Sequence, residues 1–182
     1  MYILIYHFAD YLQIEKSRNK TSKFTKFYLD SLSLNQQARL LRRIDILLTA
    51  KGVGETNIAW MRPCSIVLEV SPWAYFVPHY FYKLSRRAGL LHYSWQATKK
   101  DTRTVDLFRN RPECERKMRA IENKHYGNTS AVNKECLSDS LCLSCSQNVD
   151  GVYVNINFVQ SLIEKAVEDR KKCILNHPYL MA

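Results

Sequence analysis

The chain has no run approaching the roughly 18 apolar residues that a membrane-spanning helix requires. It also has no internal repeat and no low-complexity tract, and glycine and proline number only five each in 182 residues. These absences exclude a solenoid, a collagen-like chain and a helical membrane protein. No basic segment followed by a long apolar stretch opens the sequence, because Met1–Phe8 is interrupted by His7 and followed by Asp10. A secretory leader is therefore not expected. On that reading the expected location is the cytoplasm, and the six cysteines are expected to be reduced thiols, metal ligands or both.

Acidic residues are also in short supply. There are 17 Asp+Glu against 27 Lys+Arg, a formal net charge of +10. The excess is unevenly placed: residues 128–182 hold five basic and six acidic side chains, whereas residues 1–127 hold 22 and 11. A field of that sign attracts phosphate and speeds encounter with nucleic acid. RNA or the ribosome is the expected partner. A basic surface that merely keeps the protein solvated is the alternative.

Local patterning predicts a strand near residues 2–8, then a helix over about 35–50. In that helix Leu40, Leu41, Ile44, Leu47 and Leu48 form the apolar stripe, and Arg39, Arg42 and Arg43 lie off it. Strands are predicted at 65–70, 75–83 and 89–95, with Pro78 marking the second as an edge or bulge and residues 85–89 as a hairpin loop. A helix follows over about 105–122, restarting at Pro112. Residues 128–150 read as irregular, and 157–172 as a helix. The expected fold is α+β, a small antiparallel sheet packed against helices over residues 1–127. A Cys-containing C-terminal appendage occupies 128–182.

Several short segments resemble the HigB branch of the RelE superfamily of small bacterial toxins. Phe27-Tyr28-Leu29-Asp30-Ser31-Leu32 resembles its "E-F-L-x-x-L" segment, and the basic helix ending near Gly52 continues the match. Ile66-Val67-Leu68-Glu69-Val70 resembles "L-W-E-L-R", Leu90-Leu91-His92-Tyr93 resembles "L-L-H-x-F", and Thr98-Lys99-Lys100 falls at the family's lysine-rich run. The resemblance covers about residues 2–122. It implies metal-independent cleavage of messenger RNA on the ribosome, a small antitoxin as partner, and a bacterial or phage origin. Where the family has arginines and a lysine, this chain has Ser71, Ala74, Gln96 and Ala97. That departure leaves open a non-catalytic binding or inhibitory protein on the same scaffold.

The expected catalytic group is His92 with Lys99, Lys100, Arg103 and Lys83. A histidine exchanges protons near neutrality, and clustered cations hold a strained phosphate. Expected nucleic-acid contacts are His79, Tyr80, Arg86, Arg87 and Tyr93, since aromatic faces stack on bases and cations meet phosphates. Each has a plain structural counterpart: a core histidine, a charged turn or aromatic filling. Glu69, the one carboxylate of its strand, is expected to orient a cation, act as a base or form a structural ion pair.

Cys142 and Cys145 form C-x-x-C, and Cys173 with His177 forms C-x-x-x-H. Both spacings suit two legs of a tetrahedral zinc site, with Cys136 as a possible substitute ligand. The zinc would be structural, with no cofactor for the chemistry. Cys64 and Cys114 are expected to be isolated thiols.

Overall fold

The computed structural model describes residues 2–6, 23–27, 29–77, 79–154 and 156–176. His177 and Pro78 lie outside them, as does most of the basic link before Lys23. The elements in order are β1 (Tyr2–Tyr6), β2 (Lys23–Phe27), α1 (Leu34–Leu41), β3 (Ile46–Ala50), a 3-10 helix (Val53–Trp60), β4 (Ile66–Ser71), α2 (Tyr82–Arg87) and β5 (Leu91–Gln96). They continue with β6 (Thr102–Arg103), α3 (Val105–Asn110), α4 (Pro112–His125), α5 (Thr129–Ser138), α6 (Ser140–Gln147), β7 (Gly151–Val152) and α7 (Ile156–Asn176). Among the described residues, no helix is long and apolar enough to cross a membrane.

The protein is thus mixed α/β, but its main sheet departs from the expected antiparallel form. The strand order is β2-β1-β3-β4-β5, and β1 pairs parallel with both β2 and β3, Leu4 facing Thr25 on one side and Leu47 on the other. At the β4–β5 pair, Leu91 N–H donates to the Ser65 carbonyl and Ala97 N–H to that of Ser71. The sequence offset is the same at both ends, as parallel neighbours require. Parallel strands need a crossover of a dozen or more residues, not a two-residue turn. The stretch expected to be a strand and a hairpin loop, residues 75–89, supplies this crossover, with α2 inside it. The short β6–β7 pair is antiparallel.

The expected long helix is divided. Ser33 caps α1 through a reciprocal box with Gln36, and the helix ends at Leu41. Ile46-Leu47-Leu48-Thr49 is then a strand buried on both faces. A short apolar run of this kind fits a buried strand and a helix equally well. The residues expected to be irregular form α5 and α6. Asn128 accepts from Ala131 N–H and Asp139 from Cys142 N–H, each side chain satisfying a donor that the first helical turn leaves open.

The chain divides into two compact units. The first comprises residues 1–69, 78–94 and 154–182, and its core joins Leu29, Leu41, Leu47, Ile58, Val67, Phe81 and Leu90. The second comprises 70–77 and 95–153, with a core of Trp73, Leu107, Met118, Ile121, Val132 and four cysteines. The segment 128–182, expected as one appendage, is shared between them: α5 and α6 belong to the second unit and α7 to the first.

Within the first unit α7 is anchored by a Cys64–Cys173 disulfide, by Arg170 Nη2 donating to Asp45 Oδ1 at 2.6 Å, and by Tyr93 donating to Asp169 at 2.7 Å.

Candidate functional site

In the first unit, four ionisable side chains converge beneath the surface. Lys51 directly follows β3, Glu55 stands on the 3-10 helix, Glu69 on β4 and His92 on β5. Glu69 is central. Its Oε1 lies 3.6 Å from Lys51 Nζ and its Oε2 3.0 Å from His92 Nε2, and all three side chains are buried. His92 Nε2 makes no hydrogen bond, so the contact with Glu69 is one of ion-pair distance only. Neither carboxyl oxygen of Glu55 has a hydrogen-bond partner, and the residue is 1% exposed. Burial first, and the neighbouring Glu69 charge second, push the Glu55 carboxyl well above the usual carboxylate range. Burial likewise lowers the Lys51 ammonium, against the pull of Glu69 and Glu55. A neutral Glu55 beside a Lys51–Glu69 pair keeps the buried charge near balance, which a low-dielectric interior requires.

An aromatic layer separates this cluster from solvent. The Tyr80 ring lies 5.2 Å from Lys51 Nζ, and Tyr82 packs edge-on to His92 at 6.3 Å and to His79 at 5.4 Å. Tyr80 is 65% exposed, and His79 is held at φ 65°, in the left-handed region. His92 therefore sits behind Tyr82, with its side chain 3% exposed, and does not meet solvent directly.

Outside the aromatic layer the surface is basic. Lys83, Arg86 and Arg87 on α2 are exposed and carry no ion pair among the described residues; Arg86 lies over the Tyr82 ring at 5.9 Å. Arg39, Arg42 and Arg43, in and just after the last turn of α1, are likewise exposed and without ion pairs. Both helices pack on the same 3-10 helix. Of the residues expected to touch nucleic acid, His79, Tyr80, Arg86 and Arg87 thus fall together on one exposed segment, and Lys83 joins them. Tyr93 does not. Its hydroxyl is donated to Asp169, and burial with that bond raises its pKa.

The other expected catalytic cations belong to the second unit. Lys99 pairs with Glu122 and lies 5.6 Å from the Trp73 ring centre; Arg103 pairs with Asp106 at 3.4 Å; Lys100 is exposed. Lys99, Arg119, Glu122, Asn123, Tyr126 and Gly127 line an open groove of about 640 Å³. Its cations are largely answered by carboxylates, since Arg119 donates through Nε and Nη2 to Glu115 Oε1.

The expected zinc ligands are distributed differently. Cys142 is bonded to Cys136, Cys145 to Cys114 and Cys173 to Cys64, so the two legs of the expected site fall in different units. All six cysteines are paired, including Cys64 and Cys114, which were expected to be isolated thiols. Among the described residues no group of three or more His, Cys, Asp or Glu is arranged to hold a metal while these disulfides are closed.

Lys51 and Glu55 were not anticipated. A signal existed: a lysine at the carboxyl end of a strand, followed by Gly-Val-Gly-Glu, sits where parallel α/β sheets gather their functional groups. Reading residues 46–50 as helix hid it. No protein-family model and no curated protein matches the chain.

Proposed function

We propose that the chain is a toxin-like RNA- or ribosome-binding protein whose contact surface is the exposed segment His79–Arg87. The observation that carries this reading is the composition of that segment. His79, Tyr80 and Tyr82 offer rings, and Lys83, Arg86 and Arg87 offer cations that no carboxylate among the described residues neutralises. Stacking faces interleaved with unpaired cations suit single-stranded RNA, whose bases are splayed and whose phosphates are evenly charged. The cations of α1 extend the same sign of charge around the unit. An RNA target places the working protein in the cytoplasm.

The salt dependence of binding tests this. Replacing Lys83, Arg86 and Arg87 together by Gln removes three phosphate contacts, and each contributes about 0.7 to the slope of log K against log salt for a single strand. The expected result is a slope about 2 smaller and weaker binding to every sequence. An unchanged slope in the folded variant would move the contact elsewhere.

Cleavage of messenger RNA is the second reading, favoured by the buried Glu69–His92–Lys51 group directly behind the aromatic layer. For His92 to take a proton from a ribose hydroxyl, Tyr82 has to swing away. Translating ribosomes incubated with the protein and with His92→Ala, followed by mapping of messenger 5′ ends, separate the two readings. Cleavage lost in the variant identifies an enzyme. Binding without cleavage in the intact protein identifies a binding or inhibitory module. A kinship with the RelE/HigB toxins and a neutralising antitoxin partner both belong to this second reading. The parallel pairing of β1 departs from the antiparallel sheet that the element pattern led one to expect for the residues carrying the resemblance.

A further inference from the structure

We infer that Cys114, Cys136, Cys142 and Cys145, when reduced, form a tetrathiolate zinc site that staples the helical unit. The four stand on three mutually packed helices, Cys114 on α4, Cys136 on α5, and Cys142 and Cys145 on α6. Their Cα atoms are 5.5 Å apart across the Cys114–Cys145 pair and 5.0 Å apart across Cys136–Cys142. Cys142 and Cys145 are three residues apart on one helix, which puts their Cβ atoms about 5–6 Å from each other. The two disulfides are thus linked through one helical turn, and all four cysteines belong to the one buried core of the helical unit.

That arrangement meets the demands of a structural zinc. Zinc bonds thiolate sulfur at about 2.3 Å, so tetrahedral ligands lie roughly 3.8 Å from one another, a spacing side-chain rotation reaches from these backbone positions. Each of the four is at most 1% exposed, which fits a closed structural site and excludes an open catalytic one. Zinc with four thiolates carries a net charge of −2, and two cations of this region, Arg111 and Lys117, are already paired, with Glu113 and Asp139. Arg111, just before α4, donates to Ser144 Oγ of α6 at 3.3 Å, and Lys117 of α4 pairs with Asp139, the residue that caps α6 at Cys142 N–H. The buried Ser146 hydroxyl, which donates to the Leu143 carbonyl, lies 3.6 Å from Cys136 Sγ and reaches a thiolate there only by rotating away from that carbonyl.

The interconversion balances. Two equivalents of a dithiol reductant give four electrons and four protons to the two disulfides and are themselves oxidised to two disulfides, leaving four protein thiols. Zinc then binds the four sulfurs and releases four protons. The Cys64–Cys173 pair takes no part, since it belongs to the other unit and has no third cysteine beside it.

The test uses the full chain, produced with added zinc and purified under a dithiol without chelator. Metal content is measured for the intact protein, for Cys64→Ser/Cys173→Ser and for Cys136→Ser. One zinc per chain is expected in the first two and a loss in the third. Cobalt(II) added to the reduced, zinc-stripped intact protein gives a reading that no variant's folding can confuse: the intense sulfur-to-cobalt charge-transfer and tetrahedral ligand-field bands of a four-thiolate site. The inference is overturned if the reduced intact protein takes up neither metal at one equivalent. Loss of metal in Cys64→Ser/Cys173→Ser with retention in Cys136→Ser overturns it equally.

Discussion

Removing the Cys64–Cys173 disulfide is the perturbation whose cost the structure fixes most directly. The bond closes a loop of 109 residues. If cross-linking acts by removing denatured-chain entropy, a loop of that length contributes about 4.8 kcal/mol at 25 °C. Both other disulfides lie inside the loop. The Cys114–Cys145 bond already shortens its effective length by 31 residues, and the contribution falls only to about 4.5 kcal/mol. The logarithm makes the long loop dominant: the same relation gives about 2.2 kcal/mol for the six-residue Cys136–Cys142 separation. In a protein of this size each kcal/mol moves the melting temperature by about 2–4 °C, so Cys64→Ser/Cys173→Ser should melt at least about 9 °C lower. The variant loses the covalent tie of α7 but keeps Arg170–Asp45 and Tyr93–Asp169, so the helix should fray from its carboxyl end, and limited proteolysis should cut there first. The assay is paired thermal melts of the intact protein and the double variant without reductant. An unchanged melting temperature refutes the reasoning, as does alkylation of Cys64 or Cys173 in the unreduced, folded protein.

Glu55→Gln should stabilise the protein at neutral pH. In the native state Glu55 holds its proton above the pH at which the unfolded chain releases it, so the native state binds more protons and stability falls as pH rises from about 4.5 towards the raised native pKa. Denaturant titrations should show the intact protein losing stability over that window and the Gln variant losing less, the two converging near pH 4; parallel curves would contradict the assignment. Asp150→Ala should cost about 1–2 kcal/mol. Asp150 accepts from Asp106 N–H and Leu107 N–H at 2.7 and 2.8 Å, capping α3 from a distant part of the chain, because Thr104 makes no side-chain cap. Chemical denaturation checks it, and a change under half a kcal/mol would mean that solvent replaces the cap.

The elements with end signals were legible. Pro112 opened α4 where a first-turn proline belongs, and the strand expected at 89–95 is β5; the Ser33–Gln36 box that starts α1 was present in the sequence but not used. What failed was direction. Nothing local distinguishes a parallel from an antiparallel strand, and Ser85-Arg86-Arg87-Ala88-Gly89 reads as a hairpin loop although Ser85 to Arg87 finish a helix. The helix α2 forms because Phe81 and Leu84 bury against Leu41, Ile58 and Leu90, contacts remote in sequence. The exposed half of the site was readable for the same reason that it is exposed: aromatics and cations advertise themselves by type. The buried half was not, because Lys51 and Glu55 acquire their character from burial beside Glu69, and burial of a polar residue is a tertiary fact. The cysteines show the same limit. C-x-x-C was visible, but its partners, Cys114 and Cys136, are fixed by the packing of α4 and α5 on α6 and not by spacing.

Charge and cysteine chemistry are divided between the units in a way that bears on where the protein works. The first unit holds the unpaired cations of α1 and α2, whereas most exposed cations of the second are matched to carboxylates, as in Arg109–Asp106, Arg111–Glu113 and Lys124–Glu135. On the proposed RNA-binding reading, phosphate contact would fall to the unit with one disulfide, since fewer cations of the other are left without a carboxylate. A cytoplasmic RNA target brings reducing conditions, under which disulfides rarely persist. The first unit would then keep its hydrogen-bonded and ion-paired α7 anchors but lose the 109-residue loop closure. The second, with four buried cysteines in its core, would face four unpaired thiols unless a metal took them. A thiolate-loving metal is the one occupant that lets the same four residues serve in both environments. Thermal melts of the full chain with and without zinc, under a dithiol, therefore bear on compartment as well as on metal: stabilisation by zinc only in the reduced protein is the result expected of a chain that works under reducing conditions.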